Sequence, residues 1–485
     1  MDVRGAAPIV VVGGGVTGLA AAHRLVERAR AGEAIPPVVV LEAGESAGGQ
    51  VRTERRGDLV LEAGPDTLVA QKPAAVRLCA RIGLRAELED LGARHGGTSV
   101  LWDGKLHRVP EGFVMMAPTR WGPVLRSSLF SWRGKLRMAM EPFVRPRPDG
   151  VEDESLASFV ARRFGREALV RAAEPIVASI FTADADRLSL RATLPRFLDL
   201  ERRHGSVTRG LATAMTTNHA PASARPGAFV ALRGGMSRLV EELLARLPAG
   251  SVRTGAPVEA VARDASGRLV VALSGGERIP AAAVLLACPA FEGARVVRPL
   301  DPALAEKLDE LPYASCATVS LVYPRSAVPP LDSFGFFVPR ASGLPILACS
   351  FVSEKFPERA PADAVVLRAF LGGATRAEIL DFADADLERV SAQCLAAILR
   401  IAEPPRAAYT HRFPRSMPQY GVGAGSWLAE VARAAAAIPG LAVAGSAAGA
   451  VGIPDAVRSG EEAADSLTTA PGASGWVAYQ ANQYA

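Results

Sequence analysis

The sequence has few of the residues that build disulfide frameworks or zinc sites. Its 485 residues include only five cysteines and six histidines. Cys79, Cys288, Cys316, Cys349 and Cys394 stand singly, with no CxxC pair and no histidine at metal-ligand spacing. Disulfide bonds, a zinc centre and any other metal site are therefore not expected, and the cysteines are predicted to be buried thiols in a reducing cytoplasm.

A strong charge excess and a long apolar run are also lacking. The net charge is +5 and is carried by arginines spread along the chain, so nucleic-acid binding is not indicated. The apolar stretch Leu441–Val457 is broken by Pro454 and Asp455, and it falls short of the roughly 20 residues that a bilayer helix needs. The N-terminus lacks the layout of a targeting segment. A cytoplasmic protein, at most peripheral on a membrane, is expected.

The N-terminal region has the pattern of a βα turn that binds a pyrophosphate. Ile9–Val12 predicts a buried strand, and Gly13, Gly15 and Gly18 follow at GxGxxG spacing before a helix that should begin near Thr17. Gly13 permits the tight turn, Gly15 lets the backbone approach the phosphates, and Gly18 lets helix and strand pack closely. The helix N-terminus offers unpaired N–H groups to the anion.

A second predicted strand, Val38–Leu41, ends in Glu42, about two dozen residues after the last glycine of the turn. An acidic side chain at this place can accept hydrogen bonds from a ribose hydroxyl. The glycines alone are also compatible with an ordinary tight turn. The order of a strand, the glycines, a helix and a second strand with a terminal acid is more specific. It predicts that the protein binds a dinucleotide with a free 2′-hydroxyl.

A second glycine-rich segment, AGESAGGQVRTE, follows at once and contains Gly48, Gly49 and Arg52; Gly64 and Pro65 come shortly after it. This stretch resembles the two-dinucleotide-binding flavoproteins, in which such a segment wraps FAD and directs an arginine at the pyrophosphate. A nicotinamide dehydrogenase has no need for it. The resemblance therefore favours non-covalently bound FAD over NAD.

The same strand, glycine turn and helix pattern recurs in FVALRGGMSRLVEELLARL and in GLAVAGSAAGAVGIPDAVRSG. The predicted fold is a multidomain α/β protein with a Rossmann-like FAD-binding domain built from residues 1–95, 226–295 and 410–468. A helical domain is predicted at 96–225, a mixed-sheet substrate domain at 296–409, and a flexible tail at 469–485. Within the helical domain, residues 113–116 are expected to form an apolar loop that enters a bilayer surface or lines a pocket.

Segments along about 460 residues carry a more specific resemblance. VLWDGKLHRVPEG, DESLASFVARRFG, SFGFFVP, FLGGATR, MPQYGVG and AGSAAGAVGIPDAVRSG follow one another in this order. Together they resemble the oxygen-dependent porphyrinogen oxidases of the FAD amine oxidase superfamily. The resemblance implies six-electron oxidation of protoporphyrinogen IX, with coproporphyrinogen III as the alternative substrate, and transfer of the electrons to dioxygen with release of hydrogen peroxide.

Matched position by position, the resemblance also implies the binding residues. FAD contacts are expected at Gly13, Gly15, Val16, Thr17, Gly18, Glu42, Ala43, Gly49, Arg52, Gly64, Pro65, Val258, Val451, Gly452 and Ile453. Macrocycle contacts are expected at Phe334, Gly335, Phe337 and Phe370, and Lys72 is expected to face a propionate. Gly335 and Gly452 are predicted to let macrocycle and isoalloxazine stack closely. No side chain is predicted to be catalytic, because an activated methylene bridge can lose hydride without a strong base when it is held close to the flavin.

Some positions depart from the family pattern. Thr98 stands where some members place a propionate-binding arginine, with Arg94 and His95 slightly upstream, and Ala448 and Ala456 replace an aromatic residue and a cysteine. These departures leave the choice of substrate open. A flavin amine oxidase, a carotenoid desaturase and a non-catalytic NAD-binding protein are the rival classes. Further predictions are a homodimer, contact with the inner face of the cell membrane, and transfer of the product to a ferrochelatase.

Overall fold

The computed structural model describes residues 6–91, 97–147, 153–217 and 229–468. Its strands in chain order are β1 (Ile9–Val12), β2 (Val38–Leu41), β3 (Thr53–Arg56), β4 (Leu59–Glu62), β5 (Leu68–Val69), β6 (Leu88–Asp90), β7 (Ser99–Trp102), β8 (Lys105–Arg108), β9 (Phe113–Val114), β10 (Ala117–Pro118), β11 (Phe229–Leu232), β12 (Val252–Arg253), β13 (Val258–Arg263), β14 (Leu269–Leu273), β15 (Arg278–Ala281), β16 (Ala283–Leu286), β17 (Tyr313–Pro324), β18 (Gly335–Phe337), β19 (Ile346–Phe351), β20 (Ala364–Gly372), β21 (Ala407–Pro418) and β22 (Leu441–Val443).

The helices in chain order are α1 (Val16–Arg30), α2 (Pro73–Arg81), α3 (Trp121–Arg126), α4 (Trp132–Ala139), α5 (Leu156–Phe164), α6 (Arg166–Ala168), α7 (Ser179–Phe181), α8 (Leu190–Thr193), α9 (Pro195–His204), α10 (Val207–Thr217), α11 (Ser237–Arg246), α12 (Ala290–Val297), α13 (Pro302–Asp309), α14 (Val352–Lys355), α15 (Asp384–Leu399), α16 (Ala424–Ala436) and α17 (Ile453–Ser466). A π-helical segment, Leu169–Ala178, joins α6 to α7 and contains Pro175. No helix in the described ranges is long and apolar enough to cross a bilayer.

One sheet of five parallel strands has the order β12-β2-β1-β16-β22. In β1, Ile9 and Val11 face one apolar core, and Val10 and Val12 face another. Both faces of this strand are buried, which is why its sequence is an unbroken apolar run. The first helix, α1, packs beside α17, so the first and last parts of the described chain lie together.

A second, seven-stranded sheet has the order β21-β17-β20-β19-β18-β7-β8. Its pairings are antiparallel except that of β18 with β7. The strands β7 and β8, which the sequence places in the helical domain, therefore belong to this sheet, because β7 pairs with the aromatic strand β18. The strand β21 crosses the predicted boundary at residue 410 and pairs with β17 over most of its length.

The region between the sheets is helical and has its own apolar core. Leu156, Phe159 and Phe164 recur at helical spacing and are all buried on one helix, α5. The predicted apolar exposure at residues 113–116 is wrong for Phe113 and Met116, which are buried in this helical core, whereas Val114 is exposed. The predicted tail at 469–485, and Arg94 and His95, lie outside the described residues.

Candidate functional site

The glycines of the first turn differ in what surrounds them. A Cβ on Gly18 would lie 1.9 Å from the carbonyl oxygen of Gly13, and Gly13 has a φ of +108°. Both positions therefore need glycine for the fold itself. A Cβ on Gly15 would meet no atom within 4 Å. Gly15 is the N-cap of α1 and no side chain caps this helix, whose first residues, Val16 and Thr17, are buried. The helix N-terminus thus opens onto free space, as an anion site requires.

Glu42 directly follows β2 beside this turn, and backbone donors hold its carboxylate. Its Oε2 accepts a hydrogen bond from the Gly14 N–H at 2.8 Å, and its Oε1 accepts one from the Gly44 N–H at 2.8 Å. The neighbouring Ala43 is exposed. A carboxylate oxygen can accept a second hydrogen bond, so Glu42 keeps the capacity to bind a ribose hydroxyl.

The second glycine-rich segment lies against the first. A Cβ on Gly49, whose φ is +59°, would lie 3.3 Å from the Cα of Gly15. A Cβ on Gly64 would lie 2.0 Å from the carbonyl oxygen of Gln50, and Pro65 follows in a half-buried position. The fold therefore brings together the two segments that the sequence predicted to surround one dinucleotide.

The C-terminal motif supplies a second uncapped helix start next to α1. Gly452 is the N-cap of α17, has a φ of +77°, and would meet no atom within 4 Å if it carried a Cβ. Val451 is half-buried and Ile453 is buried. Further along α17, a Cβ on Gly460 would lie 2.2 Å from the Thr17 carbonyl oxygen, so α17 and α1 touch backbone to backbone. Two neighbouring helices thus begin at a glycine, without a side-chain cap and with open space in front of them. This arrangement suits a long ligand with a phosphate group.

Three other predicted contact residues are engaged with protein partners. The Lys72 Nζ lies 2.5 Å from Asp455 Oδ2, in the first turn of α17. The exposed Arg52 pairs with Glu54 at 2.5 Å. The buried Val258 accepts a hydrogen bond from a guanidinium nitrogen at 2.8 Å through its carbonyl oxygen. Lys72 thus lies at the C-terminal motif, whereas the structure does not direct Arg52 at the glycine turn.

The four aromatic-strand positions do not share one environment. Phe337 packs against the helical core, which Val451 also contacts, whereas Phe334 packs against a different cluster. Phe370 is half-buried on β20. The backbone gives a further reason for glycine at position 335, and the expectation that Gly335 admits a stacked ligand stays a prediction. A Cβ there would lie 2.1 Å from the Cys349 carbonyl oxygen, so the neighbouring strand already requires glycine.

Sequence reasoning missed a buried charge cluster behind the turn that carries Gly64. The cluster consists of Glu62, Asp66, Lys355, Arg359 and Arg368. Asp66 pairs with Lys355 at 2.9 Å and with Arg368 at 3.0 Å. Burial by itself would raise the pKa of Asp66, but Lys355 and Arg368 overcome this effect and hold that pKa well below its usual range. The sequence feature that could have indicated this cluster is Arg368, a single arginine inside the apolar run AVVLRAFLG.

A second unpredicted group, Glu174, lies in the π-helical segment. Burial raises the pKa of this carboxyl to about 7, although the Arg340 backbone N–H and the charges of Arg376 and Arg340 oppose the shift. The protein therefore holds Glu174 neutral over much of the pH range in which an exposed glutamate is ionised.

Replacing Glu174 with glutamine should stabilise the protein at high pH. The pKa of Glu174 is raised on folding from 4.5, so its contribution to stability is lost as pH rises from about 4.5 to 7. A glutamine stays neutral throughout. We expect E174Q to exceed the parent in free energy of unfolding by roughly 2–3 kcal/mol at pH 8 and by under about 1 kcal/mol at pH 5, measured by urea denaturation.

The matched control is E306Q on the exposed face of α13, which should leave the free energy of unfolding unchanged at both pH values. Equal stabilities of E174Q and the parent at pH 8 would contradict the raised pKa of Glu174.

The comparisons with known proteins cover nearly the whole chain. Residues 16–468 match the family model of flavin containing amine oxidoreductases. A crystal structure from Exiguobacterium sp. 255-15, a candidate protoporphyrinogen oxidase, superposes with a TM-score of 0.81 at 30% identity, covering 96% of this chain and 99% of that one.

Curated relatives fall into two groups by name. A coproporphyrinogen III oxidase of Bacillus subtilis is 32% identical over 465 residues, covering 95% of this chain and 98% of the relative. A coproporphyrinogen III oxidase of Propionibacterium freudenreichii is 34% identical over 497 residues, covering 95% and 91%. A chloroplastic protoporphyrinogen oxidase of Nicotiana tabacum is 28% identical over 436 residues, covering 85% and 76%.

Proposed function

This chain belongs to the flavin-containing amine oxidoreductases and is an FAD-dependent oxidoreductase, and we propose that it oxidises coproporphyrinogen III to coproporphyrin III with dioxygen as electron acceptor. The support is the likeness to two bacterial coproporphyrinogen III oxidases, at 32% and 34% identity over 95% of this chain. Protoporphyrinogen IX, the leading prediction from the sequence, becomes the second candidate, supported by the 28% identity to the tobacco protoporphyrinogen oxidase.

The proposed FAD site follows the two uncapped helix starts. The pyrophosphate would lie at Gly15 and the first turn of α1, the adenosine ribose at Glu42, and the isoalloxazine beside Val451, Gly452 and Ile453. The open space at Gly15 and Gly452 supports this placement. FAD, when bound, accepts hydride equivalents from the substrate and returns the electrons to dioxygen. The corresponding domain would consist of the three predicted segments, each of which contributes at least one strand to the five-stranded sheet.

The chain's own contribution to the reaction would be positioning. Phe337 and Val451 contact the same helical core, which favours a macrocycle bound between the aromatic strand and the C-terminal motif. Apolar side chains around it would exclude water and hold a methylene bridge at the flavin edge. No side chain is needed as a strong base, because the electron-rich pyrroles already activate the bridge. The walls of the site would therefore determine rate and specificity through geometry.

Aerobic turnover of the purified holoenzyme with the two porphyrinogens, side by side, tests this proposal. We expect yellow protein that releases FAD on acid precipitation, and a higher kcat/KM for coproporphyrinogen III than for protoporphyrinogen IX, followed by porphyrin fluorescence. A higher kcat/KM for protoporphyrinogen IX would favour the second candidate. Failure to oxidise either compound would refute porphyrinogen oxidation.

One exposed face favours membrane contact as a second part of the function. Trp132, Leu136, Met140 and Phe143 are 74%, 66%, 51% and 80% exposed, and the first three follow one another at helical spacing along α4. Exposed arginines at 126, 133 and 145 flank this stripe, and the only acidic residue at 121–147, Glu141, is fully buried. An apolar stripe with a cationic rim is typical of a face that lies on an anionic lipid surface.

We expect a W132S/L136S/F143S variant to lose binding to phosphatidylglycerol vesicles by at least about tenfold, since each lost apolar side chain contributes about 1.5–3 kcal/mol when buried. Vesicle flotation measures the loss. The matched control is F382S, which removes an equally large, 48% exposed aromatic side chain from another surface. Equal flotation of the parent and the triple variant would exclude this face as the membrane contact. Equal flotation of the parent on phosphatidylcholine and phosphatidylglycerol vesicles would exclude an electrostatic role of the arginines.

A further inference from the structure

A polar pocket lies at one end of the seven-stranded sheet. The strands β18 and β20 run in the same direction, because each is antiparallel to β19, and both end at this pocket. Arg340 lies just beyond β18, and Gly372, Gly373 and Arg376 lie at or just beyond the end of β20. The opposite wall is the π-helical segment and the turn after α7. The pocket therefore lies where the sheet meets the helical region.

The side chains that line the pocket carry charge and hydrogen-bonding capacity. Arg376 is buried, and its guanidinium donates to the carbonyl oxygens of Ile346 at 2.5 Å and Pro339 at 3.3 Å. Arg340 is largely exposed and forms a long ion pair with Asp184, at 3.9 Å. Within the described ranges, no ion pair joins either arginine to Glu174, which faces them from the helical side. Two cations thus border a space whose own carboxyl, Glu174, is held neutral below about pH 7.

Thr182 adds an unsatisfied donor to this space. Its Oγ1 is buried and has no hydrogen-bond partner among the described residues. Thr182 also has a φ of +47°, in the left-handed region that favours glycine. Its carbonyl oxygen accepts the Ala374 N–H at 2.9 Å, which ties it to the turn after β20. Strained backbone and π-helical turns concentrate at functional sites, and here both border one pocket.

The pocket adjoins the residues predicted to contact the macrocycle. Phe337 is the last residue of β18, and Phe370 lies two residues before the end of β20. At roughly 3.3 Å per strand residue, the pocket lies about 7–10 Å beyond these aromatic rings. Ile176 and Val177 of the π-helical segment belong to the core that Phe337 and Val451 contact. A macrocycle on these rings would place its rim, where the carboxylate side chains are attached, next to the pocket.

We propose that this pocket is a carboxylate subsite in which Arg340, Arg376 and the Thr182 hydroxyl hold one propionate of the substrate, an assignment that rests on the proposed porphyrinogen oxidation. The cavity itself has a volume of about 10 Å³, enough for one water molecule. Because the exposed Arg340 side chain forms its outer wall, that side chain can turn outward to admit a carboxylate. The incoming carboxylate occupies this space and gives the Thr182 hydroxyl its missing acceptor.

Glu174 makes the subsite sensitive to pH. The groups that face it are Arg340, Arg376 and, more distantly, Asp184. Below pH 7 the neutral Glu174 carboxyl can donate a hydrogen bond to a propionate, whereas above pH 7 its negative charge repels one. Carboxylate binding should therefore weaken as pH rises through 7, and the two arginines limit this loss.

The test uses the holoenzyme and coproporphyrin III, with binding followed by porphyrin fluorescence and turnover by oxidation of coproporphyrinogen III. R340Q should raise both the Kd and the KM about fivefold and leave kcat within about twofold, since Arg340 is partly exposed and remote from the flavin edge. The matched control is R389Q, which removes an exposed arginine that pairs with Asp386 on α15. The tetramethyl ester of coproporphyrin III should bind the parent and R340Q equally. An unchanged Kd and KM in R340Q would overturn the subsite, and so would an equal effect of R340Q on ester and acid.

Measuring this Kd at several pH values distinguishes a specific role of Glu174 in binding from a structural role. The Kd of the parent for coproporphyrin III should rise between pH 6 and 8.5, and that of E174Q should stay flat. The same rise in both proteins would contradict the proposed repulsion. A parent that oxidises neither porphyrinogen but still binds coproporphyrin III through Arg340 would refute the proposed function and keep the subsite. If the parent oxidises a porphyrinogen but R340Q and E174Q do so with unchanged kinetics, the subsite is refuted while the proposed function stands.

Discussion

A G15V variant is expected to be folded and colourless. Gly15 has a φ of −69°, which any residue can adopt, and a Cβ placed there meets no protein atom within 4 Å. A valine would therefore fit the protein but occupy the space in front of α1 that the pyrophosphate needs. We expect FAD content, read from the flavin absorbance of the purified protein, to fall by at least about tenfold. The melting temperature of the variant should equal that of parent protein stripped of flavin, because only the stabilisation by bound ligand is lost.

Two further glycine variants show whether the position or the residue type matters. G275V lies in the turn between β14 and β15, where a Cβ also meets no atom within 4 Å, and it should keep the flavin. G18A should unfold the protein instead, since its Cβ would lie 1.9 Å from the Gly13 carbonyl oxygen. Full FAD occupancy in G15V would show that the pyrophosphate lies elsewhere.

The sequence predicted those parts of the fold in which local chemistry determines the structure. The strand Ile9–Val12, the helix after it, the strand Val38–Leu41 and the helix from Ile453 are all present. The two strands are unbroken apolar runs, and the two helices begin after Gly15 and Gly452, whose surroundings are open. Such signals are local, so a single sequence is enough to read them.

The predictions that failed depend on partners distant in the sequence. Residues 113–116 read as an exposed apolar loop because nothing nearby shows that the helical core covers Phe113 and Met116. The strands β7 and β8 fall in a mostly helical stretch, and their place in the sheet follows from pairing with residues more than 200 positions away. The sequence also does not show that the Cys349 carbonyl on the next strand excludes a Cβ at Gly335.

The buried charge cluster was likewise not predicted, because its members are distant in the sequence. Glu62 and Asp66 are close in sequence, but their partners, Arg359, Lys355 and Arg368, lie about 300 residues away. Arg368 reaches from the second sheet to the turn predicted to contact FAD, where its Nη1 donates to the carbonyl oxygens of Glu62 at 2.8 Å and Gly64 at 3.0 Å. One guanidinium thus fixes the position of a cofactor segment against the strand that carries Phe370, whose ring centroid is 4.8 Å from the Arg368 Cζ.

Replacing Arg368 with methionine should therefore affect both stability and FAD binding. The change leaves the Asp66 carboxylate with Lys355 as its remaining cation and removes the donor from two buried carbonyl oxygens. Breaking a buried pair in this way costs about 3–5 kcal/mol, which urea denaturation of the flavin-free protein would measure. R368K keeps the charge but cannot reach the carboxylate and both carbonyls at once, so it should recover part of the stability while its FAD affinity stays about tenfold or more below that of the parent.

The FAD affinity of R368K separates a positioning role from a purely structural one. If Arg368 only stabilised the sheet, R368K would be less stable than the parent but would bind FAD as tightly at temperatures where both proteins are folded. If it positions the turn at Gly64, the affinity falls even in fully folded protein, and flavin fluorescence titration detects this. R389M, which breaks an exposed pair with Asp386, should change the free energy of unfolding by less than about 0.5 kcal/mol and leave FAD affinity unchanged. Undiminished FAD affinity in folded R368K would show that the cluster stabilises the sheet but does not position the turn at Gly64.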